Sequence, residues 1–129
     1  MKVIYPAIFH QEEGRYWVEF PDLPGCHTYG DTLSETVDNA KEALELYVIT
    51  ELEEGNKVNP PCDIKSIELD KDAFTTLIYG DVSSYMSASK AVKKTLTIPQ
   101  WLNDAALAEN VNFSQVLQNA LMQQLYVQN

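Results

Sequence analysis

A chain of 129 residues has the length of one ordinary domain or two small ones, and a hydrophobic content of 45% is enough to build a core. No run of 18 apolar residues occurs, so no membrane helix is expected; Cys26 and Cys62 are too few for a disulfide framework and have no metal-ligand spacing. A net charge of −10 argues against nucleic acid until its distribution is read. Residues 1–89 hold six basic and seventeen acidic side chains, or −11, and residues 90–129 hold three against two, or +1, with Lys90, Lys93 and Lys94 grouped.

Residues 2–9 alternate as a strand, with Val3, Tyr5, Ala7 and Phe9 on one face, and His10 to Gly14 reads as a polar turn. The aromatic and branched run Arg15 to Phe20 predicts a second strand, so the two form a hairpin. Pro21-Asp22-Leu23-Pro24-Gly25 interrupts pairing, and Cys26 to Tyr29 supplies a short third strand. Cys26 and His27 point to opposite faces of that strand, which is poor geometry for a catalytic dyad.

Thr32-Leu33-Ser34-Glu35 has the form of a capping box. The Thr32 hydroxyl is expected to accept from the amide three residues on, and Glu35 to reach back to the Thr32 amide. The helix then runs to about Glu54, with Gly55 ending it in a left-handed conformation. Leu33, Val37, Ala40, Leu44, Tyr47 and Val48 define the expected buried stripe, and Asp38, Lys41, Glu42 and Glu45 the outer side. Asn59-Pro60-Pro61 is a loop, Ile64 to Leu69 is expected as the fourth strand, and residues 70–80 fit a strand or a short helix equally. The serine-rich residues 81–92 read as a linker between a domain over 1–80 and a module over 93–129.

Lys93 to Pro99 alternates again, with Leu96 and Ile98 on one face and Lys93, Thr95 and Thr97 on the other. This strand has no partner in its own segment, so it requires another chain or a distant part of this one. Pro99 suits a first helical turn, Trp101, Leu102, Ala105 and Ala106 follow at helical spacing, and Asn110 stands at a left-handed turn. Asn112 can cap a second helix with the stripe Val116, Leu117, Ala120, Leu121 and Leu125.

Strand, helix, turn, helix in this order resembles the ribbon-helix-helix DNA-binding module, in which two copies exchange the strand and the ribbon enters a major groove. On that likeness Lys93, Thr95 and Thr97 face base edges, and Lys94 with Lys90 contacts phosphates or lies in solvent. The start of the second helix, Asn112, Phe113 and Ser114, clamps the backbone. Leu96, Ile98, Leu102, Val116, Leu117 and Leu121 make the dimer core.

The N-terminal run Tyr5-Pro6-Ala7-Ile8-Phe9, Tyr16 to Cys26, Thr28 to Thr32 and Asn39 to Leu44, followed by such a tail, resembles the HicB antitoxin family over nearly the whole chain. The resemblance implies an α+β fold, with a ββ(β)αβ partial ribonuclease H-like domain ahead of the ribbon-helix-helix tail. It also implies a non-enzymatic, cytoplasmic type II antitoxin with no cofactor, metal or catalytic residue. Its implied partners are a HicA-like basic ribonuclease toxin that cleaves mRNA, a palindromic operator, and a second copy in a homodimer or, by further assembly, a tetramer. Asp22, Leu23 and Pro24 are candidate toxin contacts, beside the acidic side of the long helix.

Two rival readings stand beside this one. Glu19, Asp22, Asp31 and Glu35 could hold the divalent metals of a ribonuclease H-like nuclease, although capping and turn formation account for three of them. A stand-alone transcription regulator with a ligand-sensing domain is the other.

Overall fold

A computed structural model describes residues 2–83 and 91–125. Its sheet has four strands, β1 (Lys2–Glu12), β2 (Arg15–Glu19), β3 (His27–Gly30) and β4 (Phe74–Asp81), all antiparallel in the order β3-β2-β1-β4. One long helix, α1 (Leu33–Glu53), lies against one face, and α2 (Gln100–Ala108) and α3 (Phe113–Leu125) follow in the tail. No helix among the described residues is long and apolar enough to cross a membrane.

The first hairpin is longer than its alternation predicts. Glu12 pairs with Arg15 across a two-residue turn in which Glu13 and Gly14 take φ of 51° and 77°. Those are the paired positive angles of the turn whose twist matches two antiparallel strands. His10 therefore lies inside β1, opposite Trp17, and not in the turn. Pro6, which has no amide proton to give a ladder, sits where β1 is joined to β4 alone.

The inner face of the sheet carries Val3, Tyr5, Ala7, Phe9, Val18 and Ile78 onto Ala40, Leu44, Val48 and Leu52 of α1. The helix begins as a cap with one change. Thr32 Oγ1 accepts from the Glu35 amide at 3.1 Å, whereas Glu35 Oε2 accepts from the Asp31 amide and not from that of Thr32. Gly55, at φ 77°, ends the helix as expected.

The buried stripe keeps Ala40, Leu44, Val48 and, packed against the core, Tyr47, but departs from the predicted one at its edges. Leu33 and Val37 are exposed, whereas Thr36, Ile49 and Glu45 point inward. Glu45, assigned to the outer side by charge alone, is 7% exposed and accepts from the Asp81 amide at 2.7 Å and from Lys41 Nζ at 3.2 Å. Gly80 makes room for it, since a Cβ there would meet Glu45 Cγ at 2.9 Å.

The fourth strand is Phe74–Asp81, and the expected strand over Ile64 to Leu69 does not form. Ile64–Ser66 is instead a short 3₁₀ turn, begun by Asp63 accepting from the Lys65 amide. Phe74, Ile78 and Gly80 can reach the layer that holds Phe9 and α1, and Phe74 stacks on Phe9 with centroids 5.2 Å apart. The body extends past residue 80, because Asp81 ends β4 and Val82 is fully buried in the core. Most of the linker read over 81–92, with Lys90, lies outside the described residues.

Candidate protein-docking and nucleic-acid surfaces

The tail is defined by its unpartnered apolar groups. Residues 91–99 belong to no regular element and are exposed, with Lys93, Lys94, Thr95 and Thr97 among them. Leu96, Ile98, Leu102, Val116 and Leu121 are each 42–58% exposed, and Leu117 is half-buried. Trp101, in the first turn of α2, is 71% exposed. Apolar side chains left in water at this density mark a surface that another surface covers.

The turn chemistry of the tail follows the sequence closely. Pro99 stands at the cap position just before α2 rather than within its first turn, and its carbonyl accepts from the Leu102 and Asn103 amides. Asn110 takes φ 55°, and the Val111 amide closes the helix end on Ala106. Asn112 Oδ1 accepts from the Gln115 amide at 3.1 Å, which caps α3. Asn112, Phe113 and Ser114 are all exposed around that helix start. Of α3, Met122 alone among its apolar residues packs against the core of the body, so the stripe Val116, Leu121 and Leu125 stays open.

In the body, the carboxylates considered for a metal site are separately engaged. Glu19 Oε2 lies 3.2 Å from His10 Nε2, Asp31 Oδ1 accepts from Arg15 Nε at 2.7 Å, and Glu35 caps the Asp31 amide. Asp22 Oδ2 accepts from the Cys62 amide at 3.0 Å, while its carbonyl accepts from Asn59 Nδ2. Among the described residues no three His, Cys, Asp or Glu side chains stand close enough to hold a metal ion.

Asp22 therefore ties two loops together. Leu23, named as a toxin contact, is a core residue at 1% exposure, because a turn closed by the Leu23 and Cys26 amides folds it inward. Only Pro24 of that trio is freely exposed. An apolar residue held between two prolines was a signal for an inward anchor. Cys26 is buried, and burial pushes its thiol up to about 11; Tyr5 is pushed up to about 12 by burial, with Asp22 adding. The Tyr5 hydroxyl donates to the Asn59 carbonyl at 2.6 Å.

Two broad surfaces remain on the body, and they differ in charge. α1 carries six acids and one base, and Glu45 alone of these turns inward. The opposite, open face of the sheet carries exposed Ile4, Leu77, Tyr79 and Tyr29, with half-buried Ile8 and Trp17 between them. At its centre the His10 ring stacks on Trp17 at 3.9 Å, beside Glu19. Reading residues 10–14 as a turn hides this cluster, and the signal for it is the strand alternation continuing through His10 to Glu12.

Comparison with known proteins bears on both regions. Residues 5–121 match the HicB-like antitoxin of bacterial toxin–antitoxin systems. An uncharacterised 14.9 kDa protein of Haemophilus phage HP1, from its rep–hol intergenic region, is 35% identical over 103 residues, covering 78% of this chain and 76% of that protein. A chain of a toxin–antitoxin complex from Streptococcus pneumoniae shares the fold with a TM-score of 0.63 at 31% identity, over 96% of this chain and 99% of its own. A chain of the HicA3 and HicB3 toxin–antitoxin complex aligns over 61% of this chain and 99% of its own, with a TM-score of 0.52 at 26% identity. With an antiparallel four-stranded sheet, a single covering helix and a helical tail falling inside one family's span, the chain belongs to the HicB-like antitoxins.

Proposed function

We propose that this type II antitoxin is built as two working parts. The body, a partial ribonuclease H-like fold, covers a HicA-like mRNA-cleaving toxin. The tail pairs with a second copy as a ribbon-helix-helix module and represses the operon by binding a palindromic operator. As a member of an antitoxin family the protein is a non-enzymatic inhibitor. The observation that carries the reading is the set of exposed apolar residues Leu96, Ile98, Leu102, Val116 and Leu121 beside a segment that has no strand partner among the described residues. Pairing two such segments would satisfy their backbone groups and bury those side chains in one step.

The division of labour is supported by charge. The body's −11 opposes DNA but favours a basic partner, and the tail carries its lysines beside the segment that would enter the groove. The alignment of a chain from a toxin–antitoxin complex with only 61% of this one is consistent with toxin recognition by less than the full length. The acidic side of α1 and the exposed Pro24 loop are the toxin-facing candidates.

The test is co-expression with the adjacent open reading frame, co-purification, and titration of the promoter DNA at several salt concentrations. Thr95→Ala should cost about 1–3 kcal/mol of operator affinity, and Lys93→Ala should weaken binding with a lower salt slope. Toxin neutralisation should survive both. Loss of both functions in a folded variant would refute the division, and failure to co-purify with any neighbouring product would favour a stand-alone regulator.

A further inference from the structure

We infer that the hairpin end of the sheet holds a binding site for an organic cation, a guanidinium or alkylammonium group seated on aromatic rings beside two free carboxylates. The inference goes beyond the antitoxin reading and does not depend on it. The β1–β2 hairpin and the neighbouring strand β3 form an open cleft of about 320 Å³, lined by Glu12, Glu13, Arg15, Tyr16, Trp17 and Tyr29. That volume is at the lower end of the range for small-molecule sites. Strand pairing sets Tyr29 opposite Trp17 and Trp17 opposite His10, so three rings run side by side across β3, β2 and β1.

The rings are a supported platform. The His10 ring stacks on Trp17 at 3.9 Å and 11°, and Glu19 Oε2 lies 3.2 Å from His10 Nε2, so the indole is backed on one face. Tyr29 is 67% exposed and Tyr16 half-buried, which leaves ring surface open to the cleft. A cation within about 6 Å of such a ring is attracted by its negative face. The same side of the sheet already uses that contact, where Lys2 Nζ lies 5.8 Å over the Tyr79 ring.

Charge selects the class of ligand. Arg15 lines the cleft, but its Nε donates to Asp31 Oδ1 at 2.7 Å, and that pair is neutral. Glu12 stands opposite Arg15 at the end of β1, and Glu13 follows in the turn at φ 51°. Among the described residues neither carboxylate enters an ion pair or a side-chain hydrogen bond. Two negative charges therefore remain beside the rings. They repel an anion, and a neutral ring stacked on Tyr29 would take them from water with nothing to pair. A flat guanidinium or an ammonium answers both halves of the cleft at once, and the −11 of the body raises the local concentration of either. The group can belong to a free small amine or to an arginine or lysine side chain of a bound protein.

The experiment uses the full-length chain with Trp101→Phe, which leaves Trp17 as the one tryptophan. Agmatine is titrated at constant ionic strength, with neutral butylurea as the control, and Trp17 emission is followed. Agmatine should change the emission to saturation, and butylurea should not. Tyr29→Leu should weaken agmatine binding about two- to fivefold. Glu12→Gln with Glu13→Gln, at exposed positions away from the core, should weaken it at least as much and lower its salt dependence, with unchanged circular dichroism. The titration is then repeated on the complex with a co-purified basic partner. Loss of agmatine binding there assigns the site to a side chain of that partner, and unchanged binding assigns it to a free amine. No saturable change with agmatine, an equal response to butylurea, or binding that both sets of variants leave intact overturns the inference.

Discussion

Replacement of Glu45 probes the joint between helix and sheet. Its carboxylate is 7% exposed and accepts from the Asp81 amide at 2.7 Å, at the last residue of the edge strand β4. A hydrogen bond to a charged acceptor contributes about 1.5–3 kcal/mol when its loss strands the donor. The Lys41 contact adds little, about 0.3–0.5 kcal/mol, because that lysine is half-exposed and one turn away. Glu45→Ala should therefore destabilise the fold by about 2–3 kcal/mol. For a chain of this length that lowers the melting temperature by roughly 6–12 °C. Glu45→Gln, which keeps an oxygen acceptor without the charge, should cost about half as much, and Lys41→Ala less than about 0.5 kcal/mol. Urea unfolding followed by circular dichroism measures all three. A cost for Glu45→Ala no larger than that for Lys41→Ala would refute the claim that the Asp81 amide depends on this carboxylate.

Gly80→Ala should destabilise by about 1–3 kcal/mol through overpacking, since the added Cβ meets Glu45 Cγ at 2.9 Å. Most of that cost should vanish in the Glu45→Ala background, a coupling that a double-mutant cycle reads directly. Gly30→Ala should be worse and resist such rescue, because its Cβ would meet the Thr36 backbone nitrogen at 2.8 Å as well as Thr36 Oγ1. In alkaline solution the Cys26 thiol, held at about 11 in the fold against an ordinary 9.0, makes the folded chain retain a proton that the unfolded chain releases. Stability should be undiminished below pH 9, fall as pH rises from 9 to 11, and show a shallower fall in Cys26→Ala despite that variant's lower stability at neutral pH. Unfolding midpoints against pH check this, and thiol labelling should modify exposed Cys62 well before buried Cys26.

The elements that the chain announces by itself are those governed by local rules. The Thr32 cap, the Gly55 stop, the Asn110 turn and the Asn112 cap depend on a few neighbouring residues, and the structure has each within a residue or two of its expected place; the hairpin is also where it was expected, with its first strand three residues longer. The charge division into an acidic body and a lysine-bearing tail is likewise a property of the order of residues alone. Tertiary packing decided the rest. Helical periodicity placed Ala40, Leu44, Tyr47 and Val48 correctly, but side-chain type alone put Glu45 outside, and only the gap at Gly80 and the Asp81 amide, which donates to its carboxylate, account for its turning in. Ile64 to Leu69 and Phe74 to Asp81 have comparable strand patterns, and contact with β1 selected the second, where Phe74 meets Phe9 and Ile78 reaches the core. Leu23 and His10 changed roles for the same reason: a turn or a strand pair carried each onto a neighbour far along the chain, and side-chain type does not encode that neighbour.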